Sequence, residues 1–146
     1  MGGMMYKCQH FGIKELVSPI VYEKWGEQAW MFFDRHTLED LDTIRATYGH
    51  PIIINNWAGG GELKQCGLRS NMDELVKNKK TLYLSAHTMG KGFDLHCFYG
   101  HNNKLWQHCY SLILCGKLKT FKRLENIKNS PTWVHTDCFQ SDTIVF

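Results

Sequence analysis

A chain of 146 residues with 43% hydrophobic residues, 21% charged residues and a formal net charge of +3 is long enough to bury one core and too weakly basic to argue for nucleic acid. No apolar run approaches the ~20 residues needed to cross a bilayer, and the opening MGGMMYKCQHFG lacks the apolar stretch of a signal peptide. The expectation is one domain over residues 1–146, cytoplasmic, without a membrane or nucleic-acid partner, so a substrate beyond the cytoplasm would require another protein to release the chain. Six cysteines (Cys8, Cys66, Cys97, Cys109, Cys115, Cys138) show no CxxC spacing and read as reduced, small buried hydrophobes.

Residues up to about 33 mix apolar side chains with Pro19 and show no sustained helical period, which predicts an extended segment packed on the body. Thr37 followed by Asp40 resembles a capping box, and Leu38, Leu41, Ile44 and Tyr48 share one helical face, with Gly49 and Pro51 as the stop. Pro51-Ile-Ile-Ile-Asn reads as a short buried strand, because consecutive β-branched residues suit a pleated sheet. The glycine-rich stretch 56–71 is a loop; its Gly59-Gly60-Gly61 lacks the lysine and following helix of a phosphate loop.

Thr81-Leu-Tyr-Leu-Ser and the alternating Phe93-Asp-Leu-His-Cys-Phe-Tyr read as strands on either side of a Met89-Gly-Lys-Gly turn. Asn102 or Asn103 can cap a helix carrying Leu105, Trp106, Cys109, Leu112 and Ile113, ended by Gly116. Residues 118–125 fit helix or strand, and the Asn-Ser-Pro turn before Trp133-Val-His-Thr-Asp-Cys-Phe suggests a hairpin.

The chemistry concentrates in two places. A catalytic zinc needs three protein ligands and an open position, supplied by a few His and carboxylates on neighbouring rigid strands. His87 and Asp94 flank glycines 90 and 92, which let the chain turn back so that both side chains reach one point. His135 is the third ligand, and Asp137, two residues on along a strand, shares its face and is the first candidate for the general base. His96 shares a face with Asp94 by the same alternation and is a candidate substrate contact. His10, His36, His50, His101 and His108 lack ligand spacing and read as surface or capping groups; Trp25, Trp30, Phe32 and Phe33 read as packing rather than a sugar platform.

The pattern S-x-H-x-x-G-x-x-x-D from Ser85 to Asp94, followed by W-x-H ending at His135, resembles the M15 zinc metallopeptidases. That family includes bacterial D-Ala-D-Ala carboxypeptidases, phage L-alanyl-D-glutamate endolysins and the zinc domain of Hedgehog proteins, and the likeness spans residues 34–139. It implies an α+β domain, a small antiparallel sheet with flanking helices, holding one Zn²⁺ through His87, Asp94 and His135. Gly67-Leu-Arg69-Ser70 matches the family's G-Y-R-S-type motif, making Arg69 the expected contact to a peptide carboxylate or developing oxyanion, with Ser85 a further substrate contact. Two departures stand out: Gly92 replaces an alanine common in relatives, and Thr132 stands where many carry a catalytic Glu, which leaves Asp137 and then Glu125 as candidate bases. The implied activity is zinc-dependent hydrolysis of an amide bond in peptidoglycan stem peptides or cross-links, as in a phage endolysin. The alternative is a catalytically degenerate binding or structural module of the same fold, such as a virion component.

Overall fold

A computed structural model describes residues 5–146. Four short strands form one antiparallel sheet in the order β1 (Ile52–Ile53), β2 (Gly92–Cys97), β4 (Val134–Asp137), β3 (Arg123–Leu124), packed with helices, so the expected α+β class with a small antiparallel sheet is borne out. The register places Asp94 opposite His135, and both Gly92 and Arg123 opposite Asp137. Residues directly opposed across an antiparallel pair project to the same face, and alternation repeats that face every second residue. One face therefore gathers Asp94, Arg123, His135 and Asp137. The other carries Phe93, Leu95, Leu124 and Val134, all essentially fully buried in the core.

The N-terminal stretch corrects the expectation of an extended segment. It holds two short helices, α1 (Ile13–Leu16) and α2 (Pro19–Trp25), and a 3₁₀ run over Gly26–Phe32. Local chemistry explains this: Ser18 caps α2 by accepting from the Val21 amide, and Pro19 occupies the first helical position, where its missing N–H costs nothing. These helices are too short to show a hydrophobic period. Residues 1–4 of the expected segment lie outside the described residues.

Helix α3 (Arg35–Tyr48) buries the expected face of Leu38, Leu41 and Ile44 and ends at Gly49, whose φ of 76° is left-handed. Its cap is Asp34, which accepts from the amides of His36 and Thr37, so the box at Thr37 and Asp40 is not formed. Asp40 is instead buried and accepts the amides of Lys119, Thr120 and Phe121, tying the approach to β3 onto α3. Only Ile52 and Ile53 of the expected strand at 51–55 pair with β2.

Residues 81–85 are not a strand: they pair with nothing among the described residues, and Leu82 and Leu84 are 87% and 66% exposed. Helix α4 (Asn102–Leu114) has His101 at its cap without a side-chain bond. Asn102 and Asn103 do not cap it; Asn102 accepts from the Cys97 amide instead. The hairpin of β3 and β4 forms as expected. All six cysteines are unpaired, and no helix among the described residues is long and apolar enough to cross a membrane.

Candidate metal centre

Three segments converge on the polar face of the sheet. β2 and β4 carry Asp94 and His135 on opposed positions, and the loop before β2 brings in His87. One ligand atom from each of His87, Asp94 and His135 lies within 4.8 Å of the others, a spacing that can hold a metal ion. Two imidazoles and one carboxylate are a mixed nitrogen and oxygen donor set, of the kind that holds divalent metal ions.

Each ligand is oriented by a second contact. His87 is buried, and its Nδ1 donates to the Gly67 carbonyl at 2.9 Å, so Nε2 carries the lone pair and faces Asp94 at 3.3 Å. Gly67 itself packs so closely on α1 that a Cβ there would lie 2.1 Å from the Leu16 carbonyl oxygen. His135 lies between two carboxylates, with Nδ1 2.9 Å from Asp94 and Nε2 2.8 Å from Asp137. Burial opposes its charge, but the bonds to Asp137 and Asp94 outweigh that and raise its pKa from 6.5 to about 9. Burial likewise opposes ionisation of Asp94, and the contacts with His135 and His87 overcome it, holding the carboxyl well below the usual carboxylate range.

Arg69 reaches the same point. Its Nη2 lies 3.4 Å from Asp94, and its Nε donates to the Gln65 carbonyl at 2.6 Å. The loop carrying it is pinned on both sides: the Leu68 amide bonds the Leu16 carbonyl, and buried Asp73 accepts from the Ser70 amide and the Ser18 hydroxyl. A cavity of about 310 Å³ opens beside the centre, lined by Arg69, Ser85, His87, Arg123, Glu125 and His135 among others. A second, of about 340 Å³, lies on the far side of Arg69 and Asp94 and includes His96 and Trp133.

The expected site residues therefore separate. His87, Asp94, His135 and Arg69 come together as expected. Glu125 lines the cavity beside them, its amide bonded to the His135 carbonyl. Asp137 is only 1% exposed and fully committed, one oxygen to His135 and the other to the Arg123 Nε at 2.7 Å. It also borders the cavity, but both of its oxygens are engaged, by His135 and by Arg123. Ser85 lines the cavity but spends its hydroxyl on a local turn with Thr88. His96 stands apart from the metal group; burial pushes its pKa below the ordinary value, and its Nδ1 donates to the Ile53 carbonyl at 3.3 Å.

Three contributors escaped the sequence reading. Arg123 is legible only once the hairpin register sets it opposite Asp137. Asp73 and Gly67 act through contacts with the N-terminal helices, far away in sequence. His10, His36, His50, His101 and His108 take no part in the metal group.

Fold and centre together define an α+β domain whose sheet presents a His, Asp and His group able to hold one metal ion beside an open, arginine-lined cavity. No protein-family model, curated protein or solved structure matches the chain.

Proposed function

We propose that this chain is a zinc metallopeptidase of the Hedgehog and D-Ala-D-Ala-peptidase type that hydrolyses an amide bond in peptidoglycan stem peptides or cross-links, in the manner of a phage endolysin. The observation that carries this reading is the convergence of His87, Asp94 and His135 between two cavities that share Arg69, with His87 and His135 lining one and Asp94 the other. The sequence pattern around these residues supports zinc as the ion and the peptide as the substrate.

Zinc held there supplies a Lewis acid that polarises the scissile carbonyl and makes water acidic near neutral pH. The protein's own groups do the rest. His87 and His135 present neutral nitrogens fixed by Gly67 and Asp137. Glu125, at the cavity wall, takes the proton from the attacking water and passes it to the leaving amide nitrogen. Arg69 donates to the carbonyl oxygen as negative charge develops on it. The commitment of Asp137 to His135 and Arg123 supports Glu125 as the base and Asp137 as a positioning residue.

The same commitment favours a second reading, a non-catalytic module that keeps the metal and the fold. Incubating the zinc-loaded protein with peptidoglycan and following new amino termini separates the two. Release of amino termini that stops with a chelator is expected; no release from a fully loaded protein overturns the peptidase reading.

A further inference from the structure

Arg123 enters the sheet on its polar face, opposite Asp137. Its guanidinium is held from several directions. Nε donates to Asp137 at 2.7 Å, the Phe146 ring lies over its carbon at 3.9 Å from the ring centroid, and the Phe139 ring lies at 5.5 Å. That leaves the two terminal nitrogens, which have no acceptor among the described residues, on a side chain that lines the cavity of about 310 Å³ beside the metal group. The side chain is 22% exposed, so it is only partly open to solvent.

An arginine fixed through Nε and two aromatic contacts has already lost most of its rotamer freedom, so little more is lost when its free edge is engaged. The free edge of a guanidinium is a planar two-donor fork that matches a carboxylate. Its positive charge is only partly offset. Asp137 is shared with His135, Asp94 is shared among His87, His135 and Arg69, and Glu125 on the same cavity wall forms no ion pair among the described residues.

We propose that the terminal nitrogens of Arg123 bind a free carboxylate of the substrate, so that the cavity selects peptides carrying a terminal or side-chain carboxylate near the scissile amide. This rests on the peptidase reading for the identity of the substrate, and it gives the two arginines separate tasks. Arg69, beside Asp94, faces the reacting carbonyl, while Arg123, beyond His135, anchors the peptide. Glu125 faces the same space and disfavours a second anionic group there.

The test is binding, read without turnover, so it stands whether or not peptidoglycan is cleaved. N-acetylglycine and its uncharged counterpart N-acetylglycinamide are titrated calorimetrically into the zinc-loaded full chain. The wild type is expected to bind the carboxylate at least about tenfold more tightly than the amide, the scale of a charged hydrogen-bonded pair. Arg123→Gln is expected to erase that preference while still holding zinc. Equal binding of the two probes by the wild type overturns the proposal. So does a preference that survives Arg123→Gln, or one lost only in Arg69→Gln. Should Arg123→Gln fail to hold zinc, Arg123→Lys supplies the readout: its point charge lacks the fork, a preference at least about threefold smaller is expected, and an unchanged one overturns the proposal.

Discussion

His135 Nε2 lies 2.8 Å from the Asp137 carboxylate, and the opposite ring nitrogen faces Asp94 at 2.9 Å. A carboxylate on the far nitrogen of a ligating histidine fixes its tautomer and ring plane and makes the near nitrogen a better donor. Asp137 is itself fixed by Arg123 and by the Phe139 amide at 3.1 Å. Burial opposes its ionisation, but His135 and Arg123 hold its pKa below the usual carboxylate value. It is a buried, charged strut in the metal centre.

Asp137→Asn is expected to weaken zinc affinity by about 10- to 100-fold, the usual scale for losing such an outer partner. Glu125→Gln is expected to leave zinc affinity unchanged and to lower the hydrolysis rate by about 10²- to 10⁴-fold, the scale of a lost general base. Competition against a chromophoric chelator and an amino-terminus release assay measure the two effects. The reverse assignment, with activity lost at full zinc occupancy in Asp137→Asn and untouched in Glu125→Gln, would return the base to Asp137.

The raised pKa of His135 sets a pH dependence. In the metal-free protein this histidine is an imidazolium between two carboxylates, with a folded pKa of about 9 against an ordinary 6.5. The stability it contributes is fully present below 6.5 and is lost as pH rises through about 9. Zinc must displace the Nδ1 proton, so affinity rises with pH up to about 9 and binding near neutral pH releases about one proton. Calorimetry in buffers of different ionisation enthalpy counts that proton; a metal-free His135→Gln variant is expected to lose the stability change between pH 6.5 and about 9 seen in the wild type.

The ligand set was legible because it rests on short-range pattern: His87 and Asp94 lie either side of a glycine turn, and His135 and Asp137 share a strand face. The core face of α3 was legible for the same reason, through its period. Asp34 was overlooked as a cap because Thr37 and Asp40 offered a plausible box inside the helix, yet Thr37 and Asp40 are both buried by tertiary contacts that local pattern does not contain. The strand expected at 81–85 had the right alternation but no partner edge, and a strand without a partner gains nothing from alternation. That Asp137 is engaged by an arginine was not legible, because no local pattern fixes the register that sets Arg123 opposite it.

Gly92 stands where the M15 pattern that the sequence resembles often carries alanine. Here a Cβ at residue 92 would lie 2.6 Å from the Ala86 Cβ and 3.3 Å from the Cε1 of His135. Gly92→Ala is therefore expected to destabilise the protein by about 1–3 kcal/mol, the range for overpacking, and to weaken zinc binding by displacing His135. The double variant Ala86→Gly with Gly92→Ala relieves the first contact and is expected to recover part of the loss in chemical denaturation. No difference between wild type and Gly92→Ala in either measurement would refute the crowding.

Asp73 gives the clearest test that the N-terminal helices belong to the site. It is 3% exposed and accepts from the Ser18 hydroxyl at 2.8 Å, the Ser70 amide at 2.7 Å and the Ser70 hydroxyl at 3.0 Å. Ser18 opens α2 and Ser70 follows Arg69, so one carboxylate clamps the helix start to the loop carrying the arginine. Asp73→Ala leaves three donors without their acceptor and is expected to cost about 2–4 kcal/mol, more than an ordinary neutral hydrogen bond, because the lost acceptor is charged and buried. Asp73→Asn keeps the shape and an acceptor oxygen for the shared position but loses the charge, and falls between. Because the clamp acts on Arg69 and not on the metal ligands, zinc affinity is expected to hold in the folded Asp73→Asn protein while hydrolysis falls with Arg69 loosened. A loss of zinc affinity as large as that of His87→Ala would show instead that the clamp supports His87, whose carbonyl bonds the Arg69 amide at 3.2 Å.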